Sequence, residues 1–194
     1  MTLEYRNSSG ITIHETDSPE LVEVATKVQE LRTAATQASN AHGRHIDAIN
    51  RDEGLSDQGK KDRIADLEAN RKVARLDAIN REKKVITDKI TALERRLDGY
   101  VGYSSDNIMA FRDAQDRAEA IDDADRAATV MARALRTGDK TLAHALYRRA
   151  VDNRWKEARG AFAQENPTVA GLVNDVHMLQ KLHDDGFNRT VAYM

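Results

Sequence analysis

From Leu21 onward, apolar residues return every three or four positions: Leu21, Val24, Val28, Leu31, Ala35, Ala38, then His42, His45 and Ile49. This alternation keeps one narrow stripe of a helix turned toward a partner, and holding it over four heptads predicts a coiled-coil seam. Ser18 supplies an N-cap, Pro19 suits the first helical position, and Glu20 suits the positive end of the helix dipole. Gly54 in RDEGLSD is the expected stop, as a left-handed C-cap. Ser56 then caps a second helix with Asp57 in its first turn. Its seam is read as Leu76, Ile79, Lys83, Ile86, Ile90, Leu93 and Leu97. Helices of about 35 and 42 residues would reach ~53 and ~63 Å at ~1.5 Å per residue. The short link between them predicts that they fold back as an antiparallel hairpin.

The periodicity differs on either side of this hairpin. Residues 2–14 alternate: Leu3 and Tyr5, a polar NSSG turn ending at Gly10, then Ile11 and Ile13. That pattern predicts a short β-hairpin arm, with a frayed tail as the alternative. Two strands alone are marginal in water, so such an arm would lie on the body of the chain or on a neighbour. After the hairpin, GYVGYSSD at 99–106 reads as a linker, and a third helix carries Ile108, Phe111, Ala114, Ala118, Ile121, Asp125, Ala128, Met131 and Leu135. The acidic IDDAD at 121–125 is expected on its solvated face. It lacks the glycine and terminal glutamate of an EF-hand loop. Gly138-Asp139 marks a stop and restart. Ala143, Tyr147 and Ala150, then Trp155, Ala158 and Phe162, repeat a small–large theme. Asn166 and Pro167 open a last helix with Val169, Leu172, Val176 and Leu179, which ends at DDG before an apolar tail holding Phe187, Val191 and Tyr193.

The expected fold is therefore all-α: a long antiparallel helical hairpin (coiled coil) followed by a small C-terminal helical bundle, with a short N-terminal β-hairpin arm. The expected organisation is an arm at 1–17, the hairpin at 18–98, a linker at 99–106, the helical domain at 107–186 and the apolar tail at 187–194.

Composition sharpens this picture. Aromatic residues are 5% and charged residues 32% of the chain, a balance that suits long helices better than a thick core. Thirty basic residues nearly cancel thirty-two acidic ones, and no block of like charge favours nucleic acid as a partner. There is no cysteine, so disulfide and thiolate chemistry are excluded. MTLEYRNSSGITIHE does not follow the plan of a signal peptide, and no apolar run approaches the ~18 residues of a membrane span. A cytoplasmic protein of the producing cell, with no membrane partner, is expected.

The candidate chemistry is sparse. His42 and His45 in ASNAHGRHIDAIN share a helix face. A zinc site there would lack evident third and fourth ligands, so the pair is read as a polar seam that fixes register, with a pH-sensitive joint as the alternative. HIDAINRD at 45–52 recurs as RLDAINRE at 75–82, a short echo within a low-diversity helical sequence. The arginines at 148, 149, 154 and 159 are read as covering a helix surface with their stems. No Ser/His/Asp, Cys/His, HExxH or phosphate-loop pattern appears, so no catalytic, cofactor-binding or metal residues are assigned and no enzyme is expected.

Two resemblances add to this reading. RTGDKTLAHALYRRAVDNRWKEARGAFAQENP resembles the second half of a tetratricopeptide repeat, in which alanine and aromatic residues alternate after a Gly-Asp turn. The preceding helix lacks the tryptophan, leucine and glycine of that repeat, and no second copy follows. The charged hairpin with LSDQGKKDRIADL at its turn, together with GDKTLAHALYRRAVDNRW and AFAQENP, resembles small helical structural or assembly proteins of actinobacterial tailed phages. That resemblance implies a virion structural role with self or other virion proteins as partners, and it transfers no active residues. The expected function is thus non-enzymatic assembly through helix packing and terminal-arm contacts at Leu3, Tyr5, Ile11, Ile13, Phe187, Val191 and Tyr193. The alternative is a monomeric or dimeric adaptor that binds one host or phage protein.

Overall fold

A computed structural model describes residues 18–102 and 108–194. Among these residues every regular element is helical: α1 Pro19–Arg51, α2 Asp57–Val101, α3 Ile108–Glu119, α4 Ala124–Thr137, α5 Lys140–Asp152, α6 Lys156–Glu165, α7 Pro167–Asp184 and α8 Gly186–Ala192. The all-α class is as expected. The β-hairpin arm, with Leu3, Tyr5, Ile11 and Ile13, lies outside the described residues. The chain forms two compact units. The first runs to Asp88 and resumes at Leu182–Met194; the second is Lys89–Lys181. The division falls within α2, ahead of the expected linker at 99–106, whose first residues continue that helix.

In the first unit, α1 and α2 pair antiparallel. Lys60 reaches the Asn50 carbonyl beside the turn, His42 meets Glu68, Ser39 meets Arg71, and Arg32 meets Glu82 farthest from it. The predicted N-caps are in place: Ser18 Oγ accepts from Leu21 N–H at 3.2 Å, and Ser56 Oγ from Gly59 N–H at 3.2 Å. The C-cap of α1 differs from expectation. It is Asp52 in extended conformation, and Gly54 does not adopt the left-handed region. Asp52 Oδ1 accepts from Gly54 N–H at 2.9 Å, so a side-chain oxygen closes this turn and no glycine is needed to do it.

The expected seam of α2 is buried at Ile86, Leu93 and Leu97 but shifts nearer the turn. There Leu76 and Lys83 are exposed, while the inward stripe holds Arg71, Arg75, Ala78 and Glu82. On α1 the matching stripe runs Val24, Val28, Arg32, Ala35, Ser39 and His42. Arg71 and Glu82 occupy this seam with partners across it, Ser39 and Arg32 on α1, and neighbouring Leu76 and Lys83 turn outward.

In the second unit α5 is central. Leu142, Ala143, His144, Ala145, Leu146, Tyr147, Ala150 and Val151 are all buried, and α5 packs on α3, α4 and α6. Gly138 ends α4 in the left-handed conformation at φ 70°, and Asp139 caps α5 by accepting from Leu142 N–H at 3.0 Å. The stop and restart read from the sequence is realised by these two residues. The IDDAD stretch is not a helix face. It breaks the expected single helix into α3 and α4, because the Asp123 carboxylate accepts from Asp125 and Arg126 N–H at 3.1 and 2.9 Å and so caps α4. Ile121 anchors the break, being buried itself while its carbonyl accepts from Arg149 Nε at 2.5 Å. The small–large theme becomes packing: Tyr147 and Phe162 stack with ring centroids 4.4 Å apart, against buried Ala150 and Ala158.

His144 is the least comfortable residue in this core. It is 1% exposed, and neither ring nitrogen has a hydrogen-bond partner. Burial first, and then the nearby Arg148 charge, push its pKa down to about 4, against a smaller opposing pull from Glu94. The folded chain therefore keeps His144 neutral where an unfolded chain, with a pKa near ~6.5, takes up a proton. Stability is expected to fall as pH drops from about 6.5 toward 4, by up to roughly 3 kcal/mol, and then to level off. Urea midpoints of the wild type and of His144→Leu at pH 7.5 and 4.5 test this. The variant should lose most of the difference; an unchanged difference would assign it to other groups.

Candidate functional site

Three charged residues meet in the buried interior of the first unit. Glu82 on α2 is 0% exposed and takes a bidentate pair from Arg32 on α1, Nε to Oε2 at 2.8 Å and Nη2 to Oε1 at 2.7 Å. Arg189 on α8 adds a third bond, Nε to Oε1 at 3.0 Å. The other end of the Arg189 guanidinium donates to the Leu182 and His183 carbonyls at 2.7 and 2.9 Å, satisfying main-chain acceptors near the end of α7. Burial opposes ionisation of Glu82, but the bonds and charge of the arginines outweigh it and hold the carboxyl below its ordinary range. The Tyr193 hydroxyl lies in the field of the same carboxylate without closing a hydrogen bond, and burial plus that charge push the phenol upward.

This cluster holds the C-terminal segment. Asp185 caps α8, accepting from the Asn188 N–H at 3.1 Å and from its side-chain amide at 2.6 Å. The tail expected as an extended arm is thus helical, and its contacts are with its own chain. Tyr193 is buried and Val191 half-buried, whereas Phe187 is 79% exposed. Arg71 completes the closure, donating to the Met194 main-chain oxygen at 2.6 Å and to Ser39 Oγ at 3.2 Å.

The two histidines of ASNAHGRHIDAIN part company. His42 is buried, with Nε2 2.9 Å from Glu68 Oε1; that hydrogen bond, followed by the His42 and Arg71 charges, lowers the Glu68 pKa. His45 is exposed. Among the described residues no group of three or more His, Asp or Glu side chains could hold a metal ion.

Beside the cluster the hairpin leaves a groove of about 500 Å³. Its floor is small, with Ala34, Ala38, Ala74 and Ala78, and its margins carry His42, Arg71, Arg75, Arg81 and Tyr193. Two further hollows, of about 440 and 380 Å³, share residues with it: Leu31, Ala34 and Arg81 at one, His45, Leu67 and Asn70 at the other. Together they mark an open trough along the hairpin. Sequence reasoning missed Arg32, Glu82 and Arg189 because charged residues were assigned to solvent. The available signal was spacing: Arg32 stands four residues after Val28, and Glu82 four before Ile86, both on the true seam.

Within the second unit, Arg148 and Glu94 form a bidentate pair with both bonds at 2.6 Å, and His177 Nδ1 lies 3.2 Å from Asp152 Oδ1. The hydrogen bonds to Glu94 raise the Arg148 pKa against the cost of burial. These pairs tie α5 to α2 and to α7. Among the described residues no helix is long and apolar enough to cross a membrane. No protein-family model, curated protein or solved structure matches the chain.

Proposed function

We propose that this chain is a non-enzymatic structural or assembly protein that works by helix packing, with the hairpin as its contact surface. The trough between α1 and α2 supports this reading best: it is long, open and floored by alanine, a form suited to receiving another helix. Val73 and Leu76, 69% and 53% exposed on α2, add apolar surface that the first unit does not cover. Assembly within a tailed-phage particle is the setting that the sequence resemblance implies.

One observation favours the adaptor reading. Arg189 is hydrogen-bonded and Tyr193 buried inside their own chain, which reserves much of the tail for intramolecular contact. Absolute molar mass by light scattering, measured across a range of protein concentrations, separates the two. A mass that rises with concentration is expected for an assembly protein. A constant 21.7 kDa would sink self-assembly and leave the adaptor.

A further inference from the structure

The central trough has a one-sided charge. Every ionisable side chain lining it other than Tyr193 is basic: His42, His45, Arg71, Arg75 and Arg81. This contrasts with the chain as a whole, whose formal net charge is −2. Arg81 is paired with Asp77, and Arg71 is engaged by Ser39 and the Met194 oxygen. Arg75 is half-buried and, among the described residues, makes no hydrogen bond or ion pair. A partly desolvated arginine without a carboxylate, at the margin of an apolar groove, is electrostatically incomplete. The alanine floor lets a helix backbone approach closely. With its two extensions the trough follows α1 from Lys27 to Ile49. The extensions add Lys27 and Glu30 at one end and Arg63 and Asp66 at the other, in balance. The stretch from Leu31 to Ile49 is ~27 Å at ~1.5 Å per residue, the length of a helix of about 18 residues.

From this complementarity we propose that the trough receives an amphipathic helix of a partner protein, with small apolar residues along one face and carboxylates flanking it. Arg75 supplies the central ion pair and Arg81 a second, exchanging Asp77 for the partner's carboxylate. The inference rests on the protein-binding reading above and names the partner's chemistry.

The test uses the full chain and a displayed library of 18-residue helical peptides. Each peptide carries an Ala/Leu stripe, with flanking positions drawn from Glu, Lys, Gln and Ser. Enrichment of Glu at the flanks is expected. The winning peptide, made synthetically, should bind at least ten-fold more weakly to Arg75→Glu/Arg81→Glu and to Ala38→Trp. Both variants alter side chains at the open trough, and unchanged circular dichroism will verify their folding. A Lys-flanked version should regain affinity on the charge-reversed variant. Winners without acidic bias, or binding indifferent to both variants, would overturn the groove assignment while leaving protein binding intact; no enriched peptide at all would count against both. Binding of random single-stranded DNA lost in the charge-reversed variant, with no acidic peptide selected, would replace the partner helix by a nucleic acid. A concentration-dependent dimer abolished by Ala38→Trp would identify the occupant as a second copy and overturn the heterologous partner.

Discussion

Replacing Glu82 with alanine is expected to destabilise the first unit by about 3–5 kcal/mol. Among the described residues the carboxylate is the one ion-paired with both buried guanidiniums, and its loss leaves Arg32 and Arg189 as like charges side by side in a buried interior. Glu82→Gln should behave similarly, since it keeps the shape and removes the charge. The exchange Arg32→Met/Glu82→Leu/Arg189→Met should recover most of the loss, because a buried ion cluster is often no better than apolar side chains of equal volume. Urea unfolding compares the three, and hydrogen exchange should show protection in α8 falling first in the single variants. If Glu82→Ala melts like the wild type, the cluster is not closed in solution. The pH response has a definite sign: Glu82 titrates lower in the fold than in the unfolded chain, so its contribution is complete above the unfolded pKa of ~4.5 and disappears as pH falls through the folded value. This acid window lies below the one set by His144.

A comparable loss, about 3–5 kcal/mol, is expected for Phe162→Ala in the second unit. Phe162 is 1% exposed, and its ring lies nearly parallel to that of Tyr147, with 21° between the planes. Truncation removes the burial of a large ring, opens a cavity beside alanines that cannot expand to fill it, and forfeits a stacking contribution of about 0.5–1.5 kcal/mol. Tyr147→Phe is the control. Its hydroxyl contacts to Ala170 and Asn174 are long, 3.4 and 3.5 Å, so removing them should cost less than about 1 kcal/mol. Should the two variants prove equally unstable, the hydroxyl would matter as much as the ring, contrary to the geometry.

These two sites were legible to very different degrees. The stack was visible in the sequence because Tyr147 and Phe162 sit among alanines at helical spacing, and one period describes burial on both helices. The caps were visible for a similar reason: Ser18, Ser56 and Asp139 act on neighbours three residues away. The ion cluster joins residues 50 and 107 positions apart, and its charges follow the same composition as a solvated surface. Leu76 and Lys83 illustrate the consequence. A stripe chosen for its apolar members places the seam one residue away from Arg75 and from Glu82, whose arginine partners lie on other helices. The break at Asp123 was hidden for a local reason: three aspartates read equally well as an exposed helix face or as a cap, and only the position of the freed N–H groups decides.

The Glu82–Arg189 bond spans 107 residues, so the second unit is inserted, in sequence, between the two pieces of the first. Such a contact sets an order of events during synthesis. At about 5–20 residues per second, Arg189 leaves the ribosome roughly 5–20 s after Glu82. For that interval the hairpin exists without the segment that completes it, while residues 89–181 become available to fold as a unit. A nascent chain therefore passes through a stage in which Glu82 has Arg32 alone and the wall later supplied by Tyr193 is missing. Residues 182–194 act as a clasp on a hairpin made before them.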